Sequence, residues 1–372
     1  MIVPPPSPRA VVVRAVCVAI GAMGVGSLAL WKFGVTGPGR TSDLYASWPF
    51  LDMWVRWDAG WYEQIAARGY TFSPTEQSAA AYFPFYPLLI RALMATGVPV
   101  FLAGILVTWA AGITGAILFS RWVARVRPDA ASLATWLLLL WPFAFFLYGA
   151  VYSDAVFLML VVGAFLLLER RQVLPATLLG ILATATRPIA PAVVLGLLVR
   201  QLELARREHR PLTFRDFLPA LSGLGALAFM AFLGAKFGDP FGFITTQAGW
   251  GQLGGAGSWL KYEALRGYQP LDLLLPLFHA LLAVLVLVLG WRARRTLGWG
   301  YTTYTMVAIG IPLISSRDFI GLGRYAIAAF PALAQLAIEL QPRQRVRFAW
   351  LAGSAAMLIW MTVRFANGRY VS

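Results

Sequence analysis

Charged residues are scarce in this sequence, and cysteine and histidine are nearly absent. Of its 372 residues, 13 % are charged and 59 % are hydrophobic, a balance that excludes an ordinary water-soluble domain. The single cysteine, Cys17, excludes an internal disulfide and a cysteine-based metal site. His209 and His279 have no second ligand at metal-binding spacing, so a histidine-based metal site is not expected. No cofactor is predicted and no metal ligand is assigned, although the acidic residues Asp43 and Asp52 leave a metal as an open alternative. The chain also lacks a Gly-Lys-Ser/Thr phosphate loop, which argues against a nucleotide-driven pump.

Apolar runs of roughly 20 residues, the length that crosses a bilayer, recur along the chain. They predict an all-α fold: a polytopic transmembrane helical bundle of about eleven spans that forms a single integral membrane domain over residues 1–372. The first run has no small-residue cleavage site and is interpreted as a signal anchor. The predicted spans lie near residues 11–31, 99–123, 131–149, 155–168, 173–187, 189–200, 217–235, 271–290, 299–315, 323–340 and 347–363.

The net charge of +15 comes largely from arginines that gather in short stretches between the apolar runs. This pattern follows the positive-inside rule, so topology explains the charge; membrane lipid is the expected partner and nucleic acid is not. Placing the clusters in the cytoplasm puts the N-terminus inside and the longest connection, residues 32–81, outside. Residues 83–97 are interpreted as non-crossing. The arginine and alanine content favours a bacterial plasma membrane.

The 32–81 connection has the aromatic density that is typical of packing at a membrane interface. Within it, the sequence predicts a short amphipathic helix, Ala59–Arg68, that buries Trp61 and Ile65 and ends at Gly69. Asp58 lies at the start of this helix and has two interpretations. It is either a general base or an N-cap whose side chain accepts a hydrogen bond from a free backbone N–H group.

Three arginines, Arg187, Arg317 and Arg324, lie at the predicted outer ends of spans, where a charged group is expensive and points to function. They are candidates for binding the phosphate of a donor, and Pro188 is predicted to start a helix whose N-terminus would help. The alternative is that they form ion pairs with acidic neighbours. Aromatic rings near Asp58 offer a surface for a sugar. The candidate residues for binding a sugar or acceptor are Arg56, Trp57, Trp61, Tyr62, Asp154 and Tyr325.

A series of motifs then carries a resemblance to a known family. The motifs are Arg56-Trp57-Asp58-Ala59-Gly60-Trp61-Tyr62, Ile65-Ala66, Gly69-Tyr70, Phe83-Pro84-Phe85-Tyr86-Pro87, Ser153-Asp154-Ala155, Ala185-Thr186-Arg187-Pro188, Ser316, Arg324-Tyr325 and Phe330-Pro331. In this order they resemble the PIG-V family of GPI mannosyltransferase II and its bacterial relatives, within the GT-C class of membrane glycosyltransferases. The resemblance covers most of the chain, from about residue 56 onward.

The resemblance implies a GT-C fold and an acidic residue near the reacting sugar, and Asp58 occupies the matching position. It implies an inverting mannosyltransferase that moves a hexose, here mannose, from a polyprenyl- or dolichyl-phosphate donor to a lipid-linked or glycolipid acceptor on the extracytoplasmic face. The acceptor stays open, since bacteria generally lack GPI anchors. Two other classes also stay open: a transporter or flippase of a lipid-linked anion, and a scaffold subunit of another membrane enzyme.

Overall fold

The computed structural model describes residues 5–252, 261 and 273–371. Over these residues the chain is all-helical, as predicted, and its one strand-like contact is an isolated antiparallel bridge between Arg40 and Arg56. The α-helices are α1 Pro8–Phe33, α2 Pro49–Asp52, α3 Ala59–Arg68, α4 Phe85–Met94, α5 Val100–Val126, α6 Ala131–Leu139, α7 Asp154–Glu169, α8 Val173–Thr184, α9 Ala190–Arg207, α10 Leu224–Phe237, α11 Gly242–Thr245, α12 Leu274–Thr296, α13 Trp299–Ser315, α14 Leu322–Ala328, α15 Phe330–Leu340 and α16 Gln344–Ala366. Short 3-10 helices occupy Ala79–Ala81, Pro128–Ala130, Ala144–Leu147, Phe214–Gly223 and Thr246–Trp250.

Five of the described helical segments are long and apolar enough to cross a membrane. They are α1, α5, the continuous Phe214–Phe237 segment that ends with α10, α12 and α16. Large apolar side chains such as Leu28, Leu106 and Leu281 are exposed on these helices. Such a surface is unfavourable in water but stable in contact with lipid. The chain is therefore an integral membrane protein, but these five helices do not confirm the predicted count of about eleven spans.

Helix α7 is apolar on every side and lies inside the bundle. Nearly all of its residues are buried, as expected of a helix without a polar face. Its charged residues stand at its two ends, where Asp154 pairs with Arg187 and Glu169 accepts a hydrogen bond of 2.7 Å from Arg200 Nε. The helix therefore carries Asp154 to one end of the bundle interior without burying an unpaired charge along its length.

Two predicted spans are divided in the structure. The span predicted at 131–149 stops being α-helical after Leu139, because Pro142 has no N–H group and its ring clashes with the preceding helical turn. The span predicted at 323–340 is divided at Ala329, since Pro331 is tolerated in the first turn of a helix but not inside one. Helix α4 has 10 residues and a length of about 15 Å, too short to cross a bilayer alone. The predicted start of the span at 271–290 lies outside the described residues.

The α1–α3 loop, residues 34–58, is fixed by a buried guanidinium. Arg56 is fully buried, and its N–H groups donate to Asp52 Oδ2 at 2.7 Å, Val55 O at 2.8 Å and Ala366 O at 2.8 Å. In this position the guanidinium is buried and bonded to protein groups, which does not favour the predicted role of Arg56 in sugar or acceptor binding. The residue instead joins the loop to the end of α16.

Replacing Arg56 by glutamine is expected to lower the free energy of unfolding by about 3–5 kcal/mol, because the buried Asp52 carboxylate would lose its main partner. Arg40 provides a matched control: it also contacts Asp52 Oδ2, at 3.2 Å, but its side chain is 32 % exposed. We expect Arg40→Gln to cost less than about 1 kcal/mol. Thermal denaturation of both variants in detergent measures the difference, and equal losses would contradict the anchoring role of Arg56.

Candidate active site

Helix α3 has the boundaries that the sequence predicts, Ala59–Arg68, and ends at Gly69, whose φ of +88° suits a residue without a Cβ. Its larger buried residues are Tyr62, Ile65 and Ala66, at positions i, i+3 and i+4. The prediction that Trp61 is buried together with Ile65 is wrong. Trp61 lies at the edge of the buried face and stacks on Tyr82, with ring centroids 6.0 Å apart and an interplanar angle of 18°.

The Asp58 carboxylate does not cap helix α3. Its side chain makes no capping hydrogen bond, and its backbone is already helical, with φ −60° and ψ −16°, whereas an N-cap is usually extended. Tyr82 instead donates a hydrogen bond of 3.1 Å to Asp58 Oδ1, and the Arg324 guanidinium lies 3.4 Å from Oδ2. The Asp58 N–H donates to the Tyr152 hydroxyl at 3.2 Å. The carboxylate is therefore directed away from its own helix, with 28 % of the side chain exposed.

The residue before Asp58 has a strained backbone. Trp57 has a φ of +52°, a left-handed conformation that bulky side chains rarely adopt. Its N–H donates to Gly39 O at 2.8 Å, and its ring packs edge-to-face on Tyr370, with centroids 5.0 Å apart. Outliers of this kind cluster at functional sites, where the surrounding structure holds them in place.

Four charged side chains form a row of alternating sign, which we call the charge row. Asp58 is followed by Arg324 at 3.4 Å; Arg324 Nε lies 3.9 Å from Asp154 Oδ1; and Asp154 forms an ion pair with Arg187. The exposed fraction of the side chain is 28 % at Asp58, 11 % at Arg324, 3 % at Asp154 and 7 % at Arg187. Asp58 is therefore the most exposed residue of the row. Arg187 thus has the acidic partner that the alternative interpretation expects. Among the described residues, the buried Arg324 Nε has no acceptor at hydrogen-bond distance.

Aromatic rings cover the charge row. The Tyr325 ring centroid lies 4.9 Å from the Arg187 guanidinium carbon and 5.3 Å from that of Arg324. Tyr62 is buried and donates its hydroxyl to Ser153 Oγ at 3.1 Å, so its ring supports the site from behind. Tyr62 therefore lies deeper than its assignment as a sugar-stacking residue requires. These rings also reduce the contact of the charges with solvent.

Arg317 lies apart from the charge row. Its side chain is exposed, and its backbone N–H donates to Gln252 Oε1. Within the described part of the chain, no hydrogen bond or ion pair joins Arg317 to Asp58 or Asp154. The structure therefore brings two of the three predicted phosphate-binding arginines together. The Pro188 prediction is wrong, since α9 begins at Ala190.

The prediction from sequence missed two tyrosines that contact Asp58. Tyr82 directly precedes the Phe83-Pro84 motif, and Tyr152 directly precedes Ser153-Asp154. Their positions directly before those motifs could have marked both tyrosines as candidate site residues. The sequence could not show that their hydroxyl groups point to Asp58, because this depends on packing between segments far apart in the chain.

Metal ligands are not grouped in the described part of the chain, where no cluster of three or more His, Cys, Asp or Glu side chains is placed to hold an ion. His279 is buried, with Nδ1 accepting from Gly323 N–H at 2.9 Å and Nε2 3.1 Å from Val371 O. Both ring nitrogens therefore have protein partners.

The surroundings of Asp58 make its carboxylate more basic than usual. Desolvation by burial raises the pKa of Asp58, whereas Arg324 and the Tyr82 hydroxyl lower it, and the net effect is a raised pKa. An ionised carboxylate with a raised pKa accepts a proton more readily than one with an ordinary pKa.

An apolar groove of about 550 Å³ lies between α3, α4, α8 and α10. Its two cationic side chains are Arg91 and Lys236. Pro84, two residues after Tyr82, and Ala185, two residues before Arg187, both line it. Phe85 N–H donates to Ala185 O at 2.9 Å, so α4 meets the end of α8 where the groove approaches the charge row.

The structure defines an all-helical integral membrane protein with a charge row and an apolar groove. No protein-family model matches the chain, and no curated protein sequence matches it. Its fold is similar to that of the archaeal oligosaccharyltransferase AglB from Archaeoglobus fulgidus, solved in complex with an inhibitory peptide and a dolichol-phosphate, with a TM-score of 0.42 and 13 % sequence identity. The match covers 96 % of this chain and 56 % of that chain, so this chain spans about half of its length. Membership of the PIG-V family stays a prediction, and a function has to be inferred from the site.

Replacing Tyr82 by phenylalanine is expected to raise the pKa of Asp58 further, because the lost hydrogen bond stabilises the ionised carboxylate. At a fixed pH the protonated fraction of Asp58 then increases. Infrared titration of the carboxyl carbonyl stretch measures this, and Asp58→Asn assigns the band. Tyr86→Phe is the control, since that hydroxyl bonds to Gly104 O and Thr108 instead. A titration that moves to lower pH in Tyr82→Phe would contradict the geometry.

Proposed function

We propose that the protein is an inverting GT-C glycosyltransferase that moves a hexose, mannose by resemblance, from a polyprenyl-phosphate donor to a lipid-linked or glycolipid acceptor on the extracytoplasmic face. The observation that carries the proposal is the Asp58 carboxylate, which leaves its own helix uncapped and faces Tyr82 and Arg324. An acidic residue with a raised pKa beside an arginine provides both a base and a group that binds phosphate. The motif series that contains Asp58 supports the same class.

In this mechanism Asp58 takes the proton of an acceptor hydroxyl while that oxygen attacks the anomeric carbon of the donor sugar. The bond between the anomeric carbon and the phosphate oxygen breaks, and the lipid phosphate leaves with the electron pair. A single displacement of this kind inverts the anomeric centre. Arg324 stabilises the charge that grows on the leaving phosphate, typically the larger contribution to the rate.

Binding of the donor phosphate at Arg324 also affects the base. In the structure Arg324 is one of the groups that lower the pKa of Asp58. A phosphate that takes over this guanidinium removes part of that interaction and adds its own negative charge, so the pKa of Asp58 rises. The carboxylate becomes a stronger base when the donor is in place.

Arg187 acts indirectly in this proposal. Its ion pair with Asp154 leaves that carboxylate 3.9 Å from Arg324 Nε. We assign to Asp154 and Arg187 the role of positioning Arg324 rather than of contacting the donor. Arg317 is not given a role in phosphate binding, because it lies exposed and apart from the charge row.

The groove provides a place for the isoprenoid chain of the donor. Helix α3 carries Asp58 at its start and Ile65, a groove residue, seven residues later, which corresponds to a distance of about 10 Å along the helix. Apolar walls suit a hydrocarbon chain, and the positive charge of Lys236 suits an anionic lipid. A lipid in the groove would thus present its phosphate toward the charge row.

Asp58→Asn is expected to lower the rate of sugar transfer by about 10² to 10⁴, because asparagine keeps the shape of the side chain but cannot accept the proton. Purified protein in nanodiscs is incubated with polyprenyl-phosphate-mannose and a glycolipid extract, and mass spectrometry follows the transfer. Glu63→Gln is the matched control: Glu63 lies on the same helix and pairs with Arg68 at 2.8 Å. Full activity of Asp58→Asn would contradict its role as the base. Movement of the donor across vesicles without any transfer would favour a transporter.

Filling the groove tests the site of the lipid chain. Ala228 lines the groove, and we expect Ala228→Trp to raise the KM for polyprenyl-phosphate-mannose about tenfold or more through steric exclusion of the chain. The neighbouring Leu227 is 56 % exposed and does not line the groove, so Leu227→Trp should leave the KM unchanged. Equal KM values in both variants would place the chain elsewhere.

A further inference from the structure

The segment of residues 366–371, which we call the closing segment, packs against the α1–α3 loop at the end of α16. Four hydrogen bonds join them: Thr36 N–H and Gly37 N–H to Asn367 O at 3.0 and 2.9 Å, Gly39 N–H to Gly368 O at 3.0 Å, and Arg56 Nε–H to Ala366 O at 2.8 Å. Three backbone bonds and one side-chain bond fix the position of the segment relative to the loop.

Two glycines allow this contact. A Cβ on Gly37 would lie 2.4 Å from Gly368 O, so the two backbones meet at a distance that no larger residue permits. Gly368 itself has a φ of +75°, in the left-handed region that favours glycine. The two glycines therefore allow the backbone of the closing segment to pack directly against the backbone of the α1–α3 loop.

His279 holds the closing segment from the other side. Its Nδ1 accepts from Gly323 N–H at 2.9 Å, so Nε2 carries the proton and donates to Val371 O at 3.1 Å. Gly323 directly precedes Arg324. One neutral imidazole therefore links the closing segment to the arginine of the charge row.

Tyr370 lies in the closing segment between these two attachments. It is 48 % exposed, and its ring packs edge-to-face on Trp57, the residue before Asp58. Desolvation raises the pKa of the Tyr370 hydroxyl, the Asp58 carboxylate raises it further and Arg324 lowers it. An exposed aromatic ring is thus held against the residue that precedes Asp58.

We propose that Tyr370 contacts the sugar of the lipid-linked donor, with its ring packed on the apolar C–H face of the pyranose. Asp58 and Arg324 are 3.4 Å apart, so a sugar whose phosphate binds Arg324 and whose anomeric carbon faces Asp58 must lie over this pair. Tyr370 packs on Trp57, the residue before Asp58, and is exposed on this part of the site. An aromatic ring supplies a large apolar surface of fixed geometry, which suits the face of a sugar ring. The proposal rests on the transferase function of the site.

The test measures equilibrium binding of two probes, polyprenyl-phosphate-mannose and unglycosylated polyprenyl phosphate, to the protein in nanodiscs. We expect Tyr370→Leu to raise the Kd for the mannosyl lipid about tenfold and to leave the Kd for polyprenyl phosphate unchanged. Tyr370→Phe keeps the ring and should bind the mannosyl lipid like the wild type. Trp48→Leu is the control, because Trp48 is another exposed aromatic residue of the α1–α3 loop and packs on Phe50.

Each outcome separates the two proposals. An unchanged Kd for the mannosyl lipid in Tyr370→Leu overturns the sugar contact, and so does an equal loss of affinity for both lipids, which would indicate a structural defect. Either result leaves the transferase function standing if Asp58→Asn abolishes transfer by an active wild type. A different outcome is that Tyr370→Leu loses affinity for the mannosyl lipid alone while the wild type transfers no sugar. This outcome would support the sugar contact and overturn the transferase function.

Discussion

The buried Asp154 carboxylate organises the positive charge of the site. It stands at the start of α7 with 3 % of its side chain exposed, where an unpaired charge would be very costly. The helix N-terminus favours a negative charge there, and Arg187 forms the closer ion pair. Arg324 is left between two carboxylates, and its Nε has no hydrogen-bond acceptor among the described residues. Because Asp154 is fixed by the central helix, the position of the Arg324 guanidinium beside it is fixed as well.

Local features of the sequence predicted the bounds of α3 but not the burial of Trp61 or the start of α9. The bounds of α3 followed from its amphipathic pattern and from Gly69, which both act within a few residues. The choice between cap and base for Asp58 could not be made from sequence, because it depends on Tyr82 and on Arg324, the latter 266 residues away. The same limit applies to Arg56, whose acceptor at Ala366 is 310 residues away. Residue type alone could not separate this structural arginine from Arg324.

Hydrogen bonds and ring contacts hold Trp57 and Asp58 in place. Trp57 keeps its left-handed conformation because Gly39 accepts its N–H and Tyr370 packs on its ring. Tyr152 and Tyr82 then fix the backbone and the carboxylate of Asp58. In the proposed reaction, a carboxylate held in this way needs little reorganisation when the substrate binds, which is how preorganised sites lower activation barriers.

The bond from Arg56 to Ala366 has a consequence for how the protein is made. A chain inserted into a membrane during synthesis exposes the α1–α3 loop long before α16 leaves the ribosome. Until α16 is in place, the guanidinium of Arg56 has one acceptor fewer and the glycines of the loop have no backbone to meet. The loop therefore stays incomplete, and the carboxylate that follows Trp57 reaches the position seen in the structure only after α16 has joined the bundle.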